Sequence, residues 1–145
     1  MRILCLLGCC LFAVHATAQE LAWTTDLAEA KRIAAEKQAE ILVVFAGSDW
    51  CRPCIQLKRN ILENENFIEA VADRLVVLYL DFPARKKNRL SEAQVLHNEA
   101  LAERYNRLGA FPKLVLLDAR EEILAQPEYK AQSVEAFIQL LEDRG

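Results

Sequence analysis

Cys51 and Cys54, in the run Asp49-Trp50-Cys51-Arg52-Pro53-Cys54, are the residues of this chain whose type and spacing suit covalent chemistry. Two thiols three residues apart on the first turn of a helix face one another at a separation that a disulfide bridges. The start of a helix also presents unpaired N–H groups and the positive end of the macrodipole, which stabilise a thiolate at Cys51. Arg52 adds a nearby cation, and Pro53 lacks an N–H that would have no helical partner at this position. A free thiol with a pKa of about 8.5 is only about 3% thiolate at pH 7, whereas a pKa of about 6.5 raises that to roughly 75%. Cys51 is therefore the candidate nucleophile, and Cys54 the thiol that resolves a mixed disulfide. A structural staple is the bland alternative, but a loop of four residues gives only about 2 kcal/mol by the chain-entropy formula. A structural zinc site would need four ligands. Downstream of residue 18 the chain offers these two cysteines and His97.

The elements around this pair can be read from spacing. Asp26 and Glu29 form a capping pair for a helix from Asp26 to Gln38, with Leu27, Ala30, Ile33 and Ala34 on one face. Ile41-Leu-Val-Val-Phe45 is a continuous apolar run, as a strand covered on both faces requires. The cysteines directly follow it and open a helix from Arg52 to Leu62 that continues raggedly to Ala72. Leu75 to Leu80 reads as a second buried strand. A polar, basic stretch over 81–90 leads to a helix from about Glu92 to Arg107, capped by Ser91 and Gln94 and stopped at Gly109. Strands follow at Lys113 to Leu117 and Ile123 to Ala125, and Ser133 caps a closing helix that packs Val134, Phe137, Ile138 and Leu141 inward. The predicted order is α-β-α-β-α-β-β-α: an α/β fold with a central four-stranded mixed sheet flanked by helices. The first two strands are expected parallel, and the last two form an antiparallel hairpin.

Length and charge narrow the classes. With 145 residues, 53% apolar, the chain has room for one domain with its own core. A formal charge of −3 leaves no chain-wide electrostatic footprint for nucleic acid. The first eighteen residues read as a signal peptide: Arg2 is the positive n-region, Ile3 to Val14 the apolar core, and Ala16-Thr17-Ala18 the cleavage site. Twelve apolar residues are too few to span a bilayer, which takes about 20. The expected product is an exported, periplasmic domain over 19–145. A rival reading takes Leu6-Leu7-Gly8-Cys9 as a lipobox, which would anchor the protein by a lipid on Cys9. Cleavage after Ala18 removes Cys5, Cys9 and Cys10 and leaves one cysteine pair in a compartment where disulfides persist.

The residues Phe45-Ala-Gly-Ser-Asp-Trp-Cys-Arg-Pro-Cys54, Leu80-Asp81-Phe82-Pro83, and Asn98 to Tyr105 leading to Phe111-Pro112 resemble the thioredoxin family, more narrowly its small secreted bacterial members. The resemblance implies that Phe111-Pro112 is a cis-proline loop packed against the cysteines. The Phe111 backbone would then pair with an extended substrate strand, with Trp50 as an apolar wall of the same groove. It also implies a buried carboxylate six residues before the first cysteine and a lysine on the neighbouring strand. Those places hold Phe45 and Val77, so deprotonation of Cys54 must be assisted otherwise, by water or by Lys113. Ala110 stands where the family has glycine before the apolar-Pro pair.

The function expected is an exported thiol–disulfide oxidoreductase acting on protein or peptide thiols and disulfides, with no metal or organic cofactor. It is expected to be a monomer, and as a reductant it would draw electrons from a membrane partner. The redox direction stays open, because about 30 mV is 1.4 kcal/mol for a two-electron couple. Two other classes remain: a client-binding, chaperone-like module with little redox turnover, and a protein handling copper or another soft ion through the thiolate pair. Arg85-Lys-Lys-Asn-Arg89 reads as a solvated loop, with contact to an acidic partner or an anionic membrane as the sharper alternative. His97 reads as an exposed helix residue.

Overall fold

The computed structural model describes residues 20–143. The signal peptide expected over 1–18, with its Cys9 alternative, lies outside the described residues. In chain order the elements are β1 (Ala22–Thr24), α1 (Leu27–Lys37), β2 (Glu40–Ala46) and α2 (Arg52–Leu57), which runs on into a π-helical turn at Lys58–Leu62. Then come α3 (Glu65–Val71), β3 (Leu75–Asp81), a 3-10 turn at Lys86–Asn88, α4 (Glu92–Tyr105), β4 (Lys113–Leu117), β5 (Ile123–Ala125) and α5 (Val134–Glu142).

The sheet runs β1-β3-β2-β4-β5, with β1 and β2 both parallel to β3 and with β4 antiparallel to β2 and β5. The parallel and antiparallel pairings are as expected, but the sheet has a fifth strand. Three residues, Ala22-Trp23-Thr24, are too few to show a period, and they become a strand only by pairing with Val76, Val77 and Leu78. The long helix expected over 52–72 is three pieces. Asn64 interrupts it, its side chain accepting from the Asn66 N–H at 3.0 Å to cap α3. The helix expected to reach Arg107 ends at Tyr105, with Asn106 as its C-cap. The three predicted caps are all formed, Asp26, Ser91 and Ser133 each accepting an N–H three residues on.

Strand β2 carries the fold's layering in its alternation. Leu42, Val44 and Ala46 face one side, where they share a buried cluster with Cys51, Cys54, Leu57, Phe67 and Phe137, from α2, α3 and α5. Ile41, Val43 and Phe45 face the other, against Ala30 and Ala34 of α1 and Leu101 of α4. Covering on both faces is why the run is apolar without interruption. The central strand ends at Ala46, and the chain then turns into the cysteine pair at the C-terminal edge of the sheet, the edge where open α/β sheets place their ligands.

Candidate active site

Cys51 is the N-cap of α2, with extended backbone (φ −88°, ψ 97°), and Pro53 occupies the first turn. The Cys54 N–H donates to Cys51 Sγ at 3.3 Å, and the two sulfurs are joined in a disulfide whose Cα atoms lie 5.3 Å apart. Cys51 is 4% exposed and Cys54 1%, so the first cysteine is the one nearer solvent. Arg52 and Pro53 are both exposed beside the pair. This is the arrangement in which a backbone donor and a helix N-terminus both act on the Cys51 sulfur.

An aromatic stack runs from the surface to the core beside the cysteines. The Trp50 ring meets Phe111 edge-on at 5.3 Å, Phe111 meets Phe82 edge-on at 5.4 Å, and Phe82 lies 6.4 Å from Phe45. Trp50 remains half exposed while its indole N–H donates to the Phe82 carbonyl at 2.8 Å. The indole can lie there because residue 47 is glycine: a Cβ at Gly47 would collide with Trp50 Cε2 and Nε1. The Phe111-Pro112 peptide is cis, and the stack brings Phe111 against the same tryptophan that precedes Cys51.

Several residues that hold this edge together carry no signal in their spacing. The Asp49 carboxylate accepts from the Ala84 N–H (2.8 Å), the Arg85 N–H (3.0 Å) and the Asn88 side-chain amide (2.8 Å). The Ala84 N–H foremost, then Asn88 and Arg85, holds the Asp49 carboxyl below the usual carboxylate range. Ser48 donates from its backbone N–H and its hydroxyl to the two oxygens of Asp81, at 2.8 and 2.6 Å. Across the groove, buried Asn106 donates to the Ala110 carbonyl and accepts from the Ala110 N–H, at 2.8 and 2.9 Å, pinning the residue before Phe111-Pro112. The turn between them uses Gly109 at φ 63°. The one sequence signal for Asn106 is a weak one, an amide residue at a helix end followed by a glycine turn.

The face beneath the cysteines is apolar. Counting six residues back from Cys51 gives Phe45, which points to the opposite face; the β2 residues sharing the cysteine cluster are Leu42, Val44 and Ala46, and Val77 joins them from β3. Burial pushes up the hydroxyls of Tyr79 and Tyr129, both packed against this cluster, Tyr79 to about 12, so neither is a base near neutral pH. Lys113 donates instead to Gln126 Oε1 at 2.7 Å, across the β4–β5 hairpin. His97 is not simply exposed. It sits half-buried against the other face of the sheet, its Nε2 accepting from the Leu27 N–H at the start of α1 (3.2 Å) and its Nδ1 3.2 Å from Asn98 Oδ1. Among the described residues no cluster of three or more His, Cys, Asp or Glu side chains is placed to hold a metal ion. Nor does any described helix have the length and apolarity to cross a membrane.

A strand-turn-helix carrying an i, i+3 cysteine pair opposite a cis-proline loop defines the class, and the chain belongs to the thioredoxin-like family, whose model matches residues 22–119. Among individual proteins, it is 30% identical over 146 residues to the disulfide bond reductase DsbH of Chlamydia pneumoniae, covering 94% of this chain and 86% of that one. The thioredoxin-related protein DsbJ of the same organism is 27% identical over 109 residues, 75% of this chain but 30% of that longer protein. A solved DsbH oxidoreductase superposes with a TM-score of 0.78 at 28% identity, over 95% of this chain and 94% of that one. A thioredoxin from Thermus thermophilus shares the fold, with a TM-score of 0.60 at 20% identity over 85% of each chain.

Proposed function

We propose that this protein is an exported thiol–disulfide oxidoreductase of protein or peptide substrates, with Cys51 as nucleophile and Cys54 as resolving thiol. The carrying observation is the Cys51 sulfur at the N-cap of α2, accepting the Cys54 N–H, in disulfide contact with Cys54. In the reductive direction the Cys51 thiolate attacks a substrate disulfide, forming a mixed disulfide and releasing one substrate thiol. The Cys54 thiolate then attacks Cys51 Sγ, freeing the second substrate thiol and closing the Cys51–Cys54 bond. Two electrons pass from the dithiol to the substrate. Oxidation of a client runs the same steps backwards.

Trp50 and Phe111 form the wall against which a substrate segment lies, and Pro112 presents no N–H to compete with it. Arg52 and the helix N-terminus favour the thiolate, while Pro53 leaves no donor unpaired. With an apolar face beneath the pair, water is the proton acceptor for Cys54. The DsbH relative, by name a disulfide bond reductase, supports reduction as the working direction. A reductant outside the cytosol draws its electrons from a membrane partner. The leader over 1–18 supports a periplasmic location. N-terminal sequencing should find Gln19 first, whereas fatty acid on the mature protein would assign the anchor to Cys9.

A glutathione redox titration, with pH-dependent alkylation of Cys51 in the reduced protein, tests the chemistry. A Cys51 pKa well below the free-thiol value of about 8.5 is expected. A value at or above it overturns the activated nucleophile. Cys54→Ser should accumulate a mixed disulfide at Cys51, and Cys51→Ser should abolish exchange.

A further inference from the structure

The anions and cations at the active edge are sorted by direction. Asp49 and Asp81 are both occupied by hydrogen bonds from the protein itself, Asp49 by three donors from 84–88 and Asp81 by Ser48. The cations of the same edge are exposed: Arg52 directly after Cys51, and Arg85, Lys86, Lys87 and Arg89 on the segment that Asp49 holds. Among the described residues none of these five side chains has a carboxylate within 4.0 Å, that of Arg85 reaching Asp49 only through its charge, whereas most other basic side chains are paired, as Lys31, Arg32, Lys58, Arg74 and Arg104 are. Glu99 lines the cleft next to Arg89 without pairing with it. The chain as a whole carries −3, so this rim runs against the charge of the rest of the molecule.

The segment is also fixed relative to the sulfur. Asp49 lies two residues before Cys51 and takes its donors from Ala84, Arg85 and Asn88, while Trp50 binds the Phe82 carbonyl. A partner that brings a sulfur to Cys51 along the Trp50–Phe111 wall must therefore pass beside these cations.

We infer that the 85–89 segment, with Arg52, is a docking rim for an acidic protein segment flanking the cysteine that reacts at Cys51. This rests on the oxidoreductase reading and names the partner of that site. Electrostatic steering of this kind acts mainly on association, and salt suppresses it. An anionic membrane is the less fitting occupant: the rim is a short turn without an apolar helical face to bury, on a chain of net negative charge.

The test compares oxidation of the reduced protein by two disulfide-bonded peptides of the same core, one flanked by four Asp and one by four Lys, and by uncharged hydroxyethyl disulfide. At low salt the Asp-flanked peptide should react about tenfold faster or more than the Lys-flanked one, and the gap should close in high salt. Lys86→Gln/Lys87→Gln should shrink the preference and Lys86→Glu/Lys87→Glu should reverse it, with the hydroxyethyl disulfide rate unchanged. Equal rates for the two peptides, or a preference indifferent to both double variants, overturn the inference while leaving the oxidoreductase reading intact. Binding to phosphatidylglycerol vesicles that depends on Lys86 and Lys87, without peptide discrimination, overturns it in favour of the membrane. Failure to react with hydroxyethyl disulfide overturns the oxidoreductase reading and the inference with it.

Discussion

The carboxylate of Asp49 accepts from the backbone N–H of Ala84 at 2.8 Å across 35 residues of chain, and so ties the loop before Cys51 to the basic turn after β3. Asp49→Ala should leave the Ala84 and Arg85 amides without this acceptor, and their hydrogen exchange should quicken by about tenfold or more. Asp49→Asn, which keeps one acceptor oxygen, should fall between. The pH dependence has a definite sign. The hydrogen bonds hold the folded carboxyl below its ordinary value, so the clamp is complete above the usual aspartate pKa of about 3.9 and is lost as pH falls through the lower folded value. The amide chemical shifts of Ala84 and Arg85 should therefore titrate with a midpoint below about 3.9.

Gly47 and Trp50 share one space. Gly47→Ala places a methyl group where the indole lies, so either the ring leaves the Phe82 carbonyl or the loop shifts. Overpacking of this kind costs about 1–3 kcal/mol. A changed tryptophan emission together with a lowered melting temperature is the expected result; wild-type values for both would show that the ring is not held as described.

Asn106 satisfies both polar groups of the Ala110 backbone from a buried position. Asn106→Ala should destabilise the fold by about 1–3 kcal/mol, since it removes two hydrogen bonds worth about 0.5–1.5 kcal/mol each. Urea denaturation should show the loss in the midpoint, with the slope unchanged.

Glu121 joins the β4–β5 hairpin to two helices, accepting from Lys31 of α1 at 2.5 Å and from Arg104 of α4, at a backbone φ of 70°. Those two side chains, Lys31 first, hold its carboxyl below the usual glutamate range. Its contribution is thus present above the ordinary glutamate pKa of about 4.3 and disappears as pH falls through the folded value. Both Glu121→Ala and Glu121→Gly lose the ion pairs, but glycine accepts the positive φ. Glu121→Gly should therefore be the more stable of the two by about 1 kcal/mol, and an alanine variant equal to it would place the strain elsewhere.

Where a residue's role follows from its neighbours along the chain, the sequence alone reveals it. The caps at Asp26, Ser91 and Ser133 are local hydrogen bonds three residues long, and Cys51 and Cys54 meet because one helical turn brings them together. The buried strands are legible because covering both faces demands an unbroken apolar run. β1 is not, because a three-residue strand has no period and owes its existence to the edge of β3. Phe45 shows the same limit from the other side. The resemblance gives it the place of the family's buried carboxylate, but the pleat of β2 turns it to the far face and puts Leu42, Val44 and Ala46 on the cysteine side.

The chemistry of the site and the order of its main elements are thus settled by residue type and short-range spacing, since thiol pairing, capping and apolar periodicity act within a few residues. Which side chains brace that chemistry is decided only by the folded chain. Asp49 reaches 84–88, Asn106 grips the residue before the cis-proline loop, and the basic turn comes to rest at the disulfide's edge. Each of these is a polar contact between segments that a β-sheet crossover or a helix-to-strand turn brings together. A polar side chain carries no periodic signal of the partner it will find.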